Sequence, residues 1–146
     1  MTKGEEAFIA DADVFFFYLR GGALEEKASK IVGEAVSGAM KLHASSEVYD
    51  DAITAIRSGG TPLDVAIKFL ADLKAIPHVT LPITPEVAEE AVRLYRTHGG
   101  RRRLHYFDAF HVACSKRYHI TLITSDSYVI EHARDLGVSA TDLRLV

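Results

Sequence analysis

The sequence predicts an α/β protein: a three-layer α/β/α sandwich around a central parallel sheet of about four or five strands. Three observations predict it. Short apolar segments alternate with longer segments of helical periodicity along the whole chain. The stretches between successive strand-like segments are long enough for the crossover connections that parallel neighbours require, and those crossovers are right-handed. Finally, acidic residues sit just past strand-like segments, at Asp11, in the Ser45 to Asp51 stretch and at Asp126. In an open parallel sheet the carboxyl ends of all strands share one edge, and ligands bind in the crevice outside it.

Taken in order, Phe8 to Ala10 is a short buried strand that runs into Asp11-Ala12-Asp13. Val14 to Leu19 is an aromatic-rich helical segment stopped by Gly21-Gly22. Residues 25–37 place Ala28, Ile31, Val32, Ala35 and Val36 on one helical face. Met40 to Ala44 reads as strand. Ser45-Ser46-Glu47 then offers hydroxyls for an N-cap and an acid for the first turn of a helix that ends before Ser58-Gly59-Gly60. Thr61-Pro62 and Thr84-Pro85 each put a cap residue ahead of proline at the first helical position. Between those two helices, Val79 to Ile83 is short and extended. The helix over residues 85–97 closes at Gly99-Gly100, Arg101-Arg102-Arg103 follows, and residues 106–117 form the next helix. Ile120 to Thr124 is a strand, a last helix runs to Gly137, and the tail Leu143 to Val146 offers one more strand. No repeat, linker or low-complexity segment interrupts this pattern, so residues 1–146 are expected to form one domain.

Composition narrows the function. Of the 146 residues, 48% are hydrophobic and 25% charged, enough to bury a core. A net charge of -3 argues against coating nucleic acid by overall basicity, so a polyanion site must be local. The lone Cys114 excludes an internal disulfide framework and cysteine-rich zinc sites, and it fits a reducing cytoplasm. The opening Met1-Thr2-Lys3-Gly4-Glu5-Glu6 is too acidic and short to lead a signal peptide, and no apolar run approaches the roughly 20 residues of a membrane span. Four acidic signals remain: Asp11 with Asp13, Asp50 with Asp51, Asp108 in the first turn of its helix, and Asp126. Like charges gathered in one crevice raise each other's pKa unless a cation neutralises them, and carboxylates suit a hard divalent ion.

Three segments together carry a family resemblance. Phe8-Ile9-Ala10-Asp11-Ala12-Asp13-Val14, Tyr106-Phe107-Asp108-Ala109-Phe110-His111-Val112-Ala113 and Leu122-Ile123-Thr124-Ser125-Asp126 resemble the opening strand, the Asp-Ala helix and the Thr-x-Asp strand end of PIN domains. That family includes ribonucleases and the toxin halves of toxin-antitoxin pairs. The resemblance implies a nuclease that cleaves the RNA backbone with Mg²⁺ or Mn²⁺ bound by Asp11, Asp51, Asp108 and Asp126. Where the family usually carries glutamate, counting from Ser45 reaches Asp51, with Asp50 as the fallback. Asp13 and Thr124 would orient carboxylates or water, and Ser45 opens the segment that supplies the second acid. A homodimer and a small antitoxin are the partners that the resemblance implies.

Each residue also has a plainer reading. An Asp after a strand is often only a helix cap, Asp126 above all. Asp108 would complement the helix dipole. His111, on the same helical face as Asp108, reads as a histidine hydrogen-bonded to structure. The Phe15-Phe16-Phe17-Tyr18 run reads as packing or a dimer contact rather than a base-stacking platform. Arg101, Arg102, Arg103 and, more weakly, Arg20 are candidates for RNA phosphates, against a solvated loop. Two competing functions stand beside the nuclease. One is a haloacid-dehalogenase-like phosphatase with Asp11 as nucleophile and Asp13 as general acid/base, although no matching downstream lysine motif is present. The other is a module that only binds RNA or protein.

Overall fold

The computed structural model describes residues 6–146, so the first five residues of the N-terminal segment lie outside it. Five strands form one parallel sheet in the order β3-β2-β1-β4-β5: β1 (Glu6–Ala10), β2 (Met40–Ser45), β3 (Val79–Leu81), β4 (Thr121–Thr124) and β5 (Ala140–Asp142). β1 is central. The chain steps outward from it to β2 and β3, then returns to its other side for β4 and β5, so the strand order reverses between β1 and β4.

Strand alternation puts a separate core on each face of the sheet. Ala10, Leu42, Ala44 and Ile123 face one core, shared with helices α1 (Ala12–Arg20), α2 (Glu25–Ser37), α3 (Val48–Ser58) and α4 (Leu63–Ala75). Their neighbours Ile9 and Leu122 face the other, built with α5 (Pro85–His98), α6 (Tyr106–Tyr118), α7 (Ser127–Glu131) and α8 (Ala133–Leu136). This is the expected three-layer arrangement. No described helix is long and apolar enough to cross a membrane.

Local chemistry sets several boundaries. Thr84 caps α5 by accepting from the Val87 N–H at 3.3 Å, with Pro85 opening the helix, as its sequence implies. α2 ends at Gly38, whose φ of 82° is left-handed backbone. At Gly99 the reason is space: a Cβ there would lie 2.3 Å from the Tyr95 carbonyl oxygen. Phe15 is fully buried, while Phe16, Phe17 and Tyr18 are partly buried against the same core.

Four local expectations are corrected. Ser45 does not cap a helix: it is the last residue of β2, and its hydroxyl is taken by His111. The Ser46 hydroxyl instead accepts from the Ile83 N–H at 3.0 Å, so α3 opens at Val48 with no side-chain cap. Thr61 does not cap α4, because Pro62 is itself extended at ψ 147° and helical geometry begins only at Leu63. The last helix is two short ones, broken at His132. The tail from Leu143 is not a strand; the edge strand lies just before it, and Asp142 accepts from the Arg144 N–H at 2.9 Å, turning Leu143–Leu145 into a 3-10 turn.

Candidate metal centre

The reversal of strand order opens a crevice beyond the carboxyl ends of β1 and β4, and both strands deliver polar side chains there. The sheet continues one step past β1 through the Asp11 N–H, which donates to the Ile123 carbonyl at 3.2 Å. That bond sets Asp11 beside Thr124. The Thr124 hydroxyl donates to Asp11 Oδ2, and the Asp13 N–H donates to Oδ1 at 2.9 Å, so Asp11 also caps α1. Asp11 is 2% exposed. Thr124 serves a second residue as well, since its Oγ1 accepts from the Asp126 N–H at 3.0 Å.

Asp126 caps α7 by accepting from the Val129 N–H at 3.0 Å. The capping role is therefore real, yet it uses Oδ1 only. Oδ2 lies 3.6 Å from Nδ1 of His105, which is also 3.3 Å from Asp108 Oδ2. From the other side, α3 brings Asp51, whose Oδ2 accepts from Nε2 of His111 at 2.9 Å. Ligand-type atoms of Asp51, Asp108 and His111 lie within 4.8 Å of one another, as do those of His105, Asp108 and Asp126. Asp108 is common to both groups. Its place in the first turn of α6 follows from His105 at the cap and from the burial of Ala109, Phe110, Val112 and Ala113, which fixes the helix against the sheet.

The electrostatics bind these carboxylates into one cluster. Burial, then the charges of Asp13 and Asp108, hold the Asp11 carboxyl well above the usual carboxylate range, against the stabilising bonds from Thr124 and the Asp13 N–H. Burial likewise raises Asp13, with Asp51 and Asp126 adding to the effect while the Ser125 hydroxyl, donating at 2.6 Å, opposes it. Asp108 is pushed up to about 6 by burial and by the charges of Asp126, Asp51 and Asp13, with His111 pulling the other way. Carboxylates arranged this way repel until a cation neutralises them. The donor atoms are mostly hard oxygens, which fits a hard divalent ion.

The remaining candidates divide. Asp13 and Thr124 touch the cluster, and Ser45 reaches it through His111. Asp50 faces solvent on α3 and makes no contact with the cluster among the described residues, whereas Asp51 turns inward. Arg101 and Arg102 are exposed in the loop before α6, and Arg20 is exposed at the end of α1. Arg103 is more tied down, with its guanidinium 5.8 Å from the Tyr128 ring centre and donating to the Thr97 carbonyl at 3.2 Å. Cys114 is buried, and burial pushes its thiol up to about 12.

Sequence reasoning set His111 aside as structural and did not weigh His105 or Ser125. A signal existed for the histidines: they stand three residues before and three after Asp108, the spacing that stacks side chains on one helical face. A cleft of about 410 Å³ lies near the start of β4, at the opposite edge of the sheet, lined by Lys116, His119 and Arg134 among others but by no acid.

The fold has relatives among solved structures. Similar solved structures include VapBC2 from Rickettsia felis bound to a promoter DNA fragment, at 11% identity and a TM-score of 0.66, covering 93% of this chain and 98% of that one. DNA-bound VapBC from Salmonella typhimurium is similar at 14% identity and a TM-score of 0.65, covering 94% and 98%. The Sarcin-Ricin loop cleaving toxin VapC20 from Mycobacterium tuberculosis is similar at 16% identity and a TM-score of 0.60, covering 79% and 86%. At such identities the likeness establishes the fold. No curated protein matches the chain. Residues 8–135, from the strand that leads into Asp11 to the helix beyond Asp126, match the family model described as PIN domain, and the chain belongs to that family.

Proposed function

We propose that this protein is a ribonuclease that hydrolyses RNA phosphodiester bonds with Mg²⁺ or Mn²⁺ held by Asp11, Asp51, Asp108 and Asp126. The observation that carries the reading is the meeting of carboxylates from the end of β1, α3, α6 and the end of β4 at the point where the sheet reverses, with Asp11, Asp108 and the neighbouring Asp13 of α1 all raised above the usual carboxylate range. A bound divalent ion supplies neutralisation of the phosphate charge and a more acidic water. The chain's own part is positional. Thr124 and the Asp13 N–H fix Asp11, the cap bond to Val129 fixes Asp126, and His111 fixes Asp51. Arg101 and Arg102, exposed in the loop leading to Asp108, take backbone phosphates of the incoming RNA.

The structural neighbours described as VapBC or toxin-antitoxin assemblies support a toxin role with a small antitoxin as partner, and a second copy of this chain is the further partner that the family resemblance implies. The whole of residues 1–146 then acts as one nuclease domain. Purified protein incubated with RNA should cleave it with Mg²⁺ or Mn²⁺ and stop in EDTA, and Asp11→Asn should lose cleavage at least about 100-fold, consistent with the loss expected when a metal site is disrupted. Cleavage that persists in EDTA or in Asp11→Asn would defeat the proposal. Asp13→Asn separates it from the phosphatase alternative, which that change abolishes but which a nuclease survives in weakened form.

A further inference from the structure

The least expected feature of the cluster is a chain of three side chains from three elements, two of them buried and the third, Asp51, partly exposed at the crevice. Ser45 ends β2, Asp51 lies in the first turn of α3, and His111 lies on α6. The Ser45 hydroxyl meets His111 Nδ1 at 2.8 Å, and His111 Nε2 meets Asp51 Oδ2 at 2.9 Å. Ser45 and His111 are both 0% exposed. A serine sealed in this way cannot attack a substrate, so the arrangement is no hydrolytic triad despite its composition. Its direction follows from donor chemistry. A carboxylate only accepts, so Nε2 carries a hydrogen and donates to Asp51, while Nδ1 is paired with the Ser45 hydroxyl. A ring nitrogen that carries a hydrogen has no lone pair to give a metal, so Nε2 is not a ligand in this arrangement.

We infer that His111 is a positioning residue for the metal centre: anchored by the Ser45 hydroxyl, it holds Asp51 Oδ2 and leaves Oδ1 for the ion. The need arises from where Asp51 sits. It reaches the crevice from α3, whereas Asp11 and Asp126 follow strands of the sheet directly and are fixed by Thr124 and by cap bonds. The His111 bond ties α3 to α6, which already carries Asp108, and so fixes the two carboxylates relative to each other. Partners of this kind orient metal ligands and typically change metal affinity or activity by about 10- to 100-fold when removed.

This inference rests on the reading of Asp51 as a metal ligand, and Mn²⁺ titration of the full chain, followed by electron paramagnetic resonance, tests the two separately. Wild type should bind Mn²⁺ and Asp108→Asn should not; a wild type that binds none overturns both. Given binding, His111→Leu should weaken it about 10- to 100-fold, His111→Gln, which restores an N–H donor, should recover much of the loss, and Ser45→Ala should weaken binding less than His111→Leu. Circular dichroism reports whether each variant is folded. Equal affinity in a folded His111→Leu overturns the inference alone, as does a glutamine variant no better than leucine. If His111→Leu does not fold, Ser45→Ala decides, and unchanged affinity there is the overturning result. Nitrogen hyperfine coupling from a directly bound imidazole in wild type would also overturn it, making His111 a ligand.

Discussion

Asp108 carries the sharpest consequence at the scale of single residues. Its carboxyl is raised from 3.8 to about 6, so the folded state holds the proton more tightly than the unfolded chain does. The stability this contributes is fully present below about pH 4 and is lost as pH rises through 6. At pH 7 the ionised group then costs up to about 3 kcal/mol, taking 1.36 kcal/mol for each pKa unit. Without a divalent ion, Asp108→Asn should therefore be more stable than wild type at pH 7, by about 1 to 3 kcal/mol, with the gap closing towards pH 4. Urea denaturation in EDTA at the two pH values measures this, and a variant less stable than wild type at pH 7 would contradict it. The same substitution removes a proposed ligand, so the gain in stability should accompany a loss of RNA cleavage. Sites strained for function commonly show that opposition.

Elements fix what residues can do, and α7 shows two roles meeting in one side chain. Asp126 both caps this five-residue helix and lies beside Asp108, with His105 between them. Its two oxygens divide the labour, Oδ1 to the Val129 N–H and Oδ2 to the cluster. Serine is as good an N-cap as aspartate but brings no carboxylate. Asp126→Ser should thus keep stability within about 0.5 kcal/mol once the relief of charge repulsion is removed by working at low pH, whereas RNA cleavage falls at least about 10-fold. Thermal denaturation and a cleavage assay on the same preparation decide it. A variant that keeps full cleavage would reduce Asp126 to a cap. α6 makes the converse point. Asp108 and His111 stand one turn apart on it and His105 caps its start, while Ala109, Val112 and Ala113 are buried beside them and hold the helix against the sheet.

Across the whole molecule, a net charge of -3 and an acidic crevice must still admit a polyanion. The exposed Arg101 and Arg102 supply the local attraction in the proposed function, while Arg103 is partly engaged by Tyr128 and Thr97. Replacing Arg101 and Arg102 together with alanine should weaken single-stranded RNA binding and reduce the slope of log affinity against log salt by about 1.4, from about 0.7 for each phosphate contact. Filter binding over a salt series measures it, and an unchanged slope would remove this loop from the footprint. Much of this architecture was written in the order of residues. Alternating apolar periodicities fixed the helices and the inner strands, and the parallel sheet followed from the length of the connections between them. The Asp11, Asp108 and Asp126 segments were legible because each lies beside a strand end or helix start, a position defined by nearby sequence. Boundaries that depend on a distant partner were not: Ser45 reads as a cap until His111 claims its hydroxyl, and the Leu143 tail reads as a strand until the Asp142 carboxylate turns the chain. That Asp51 and not Asp50 faces the cluster, and that His105 and His111 lie beside it, became visible only with α3 and α6 packed side by side, because a side chain's surroundings depend on atoms that chain folding, not chain order, brings within bonding distance.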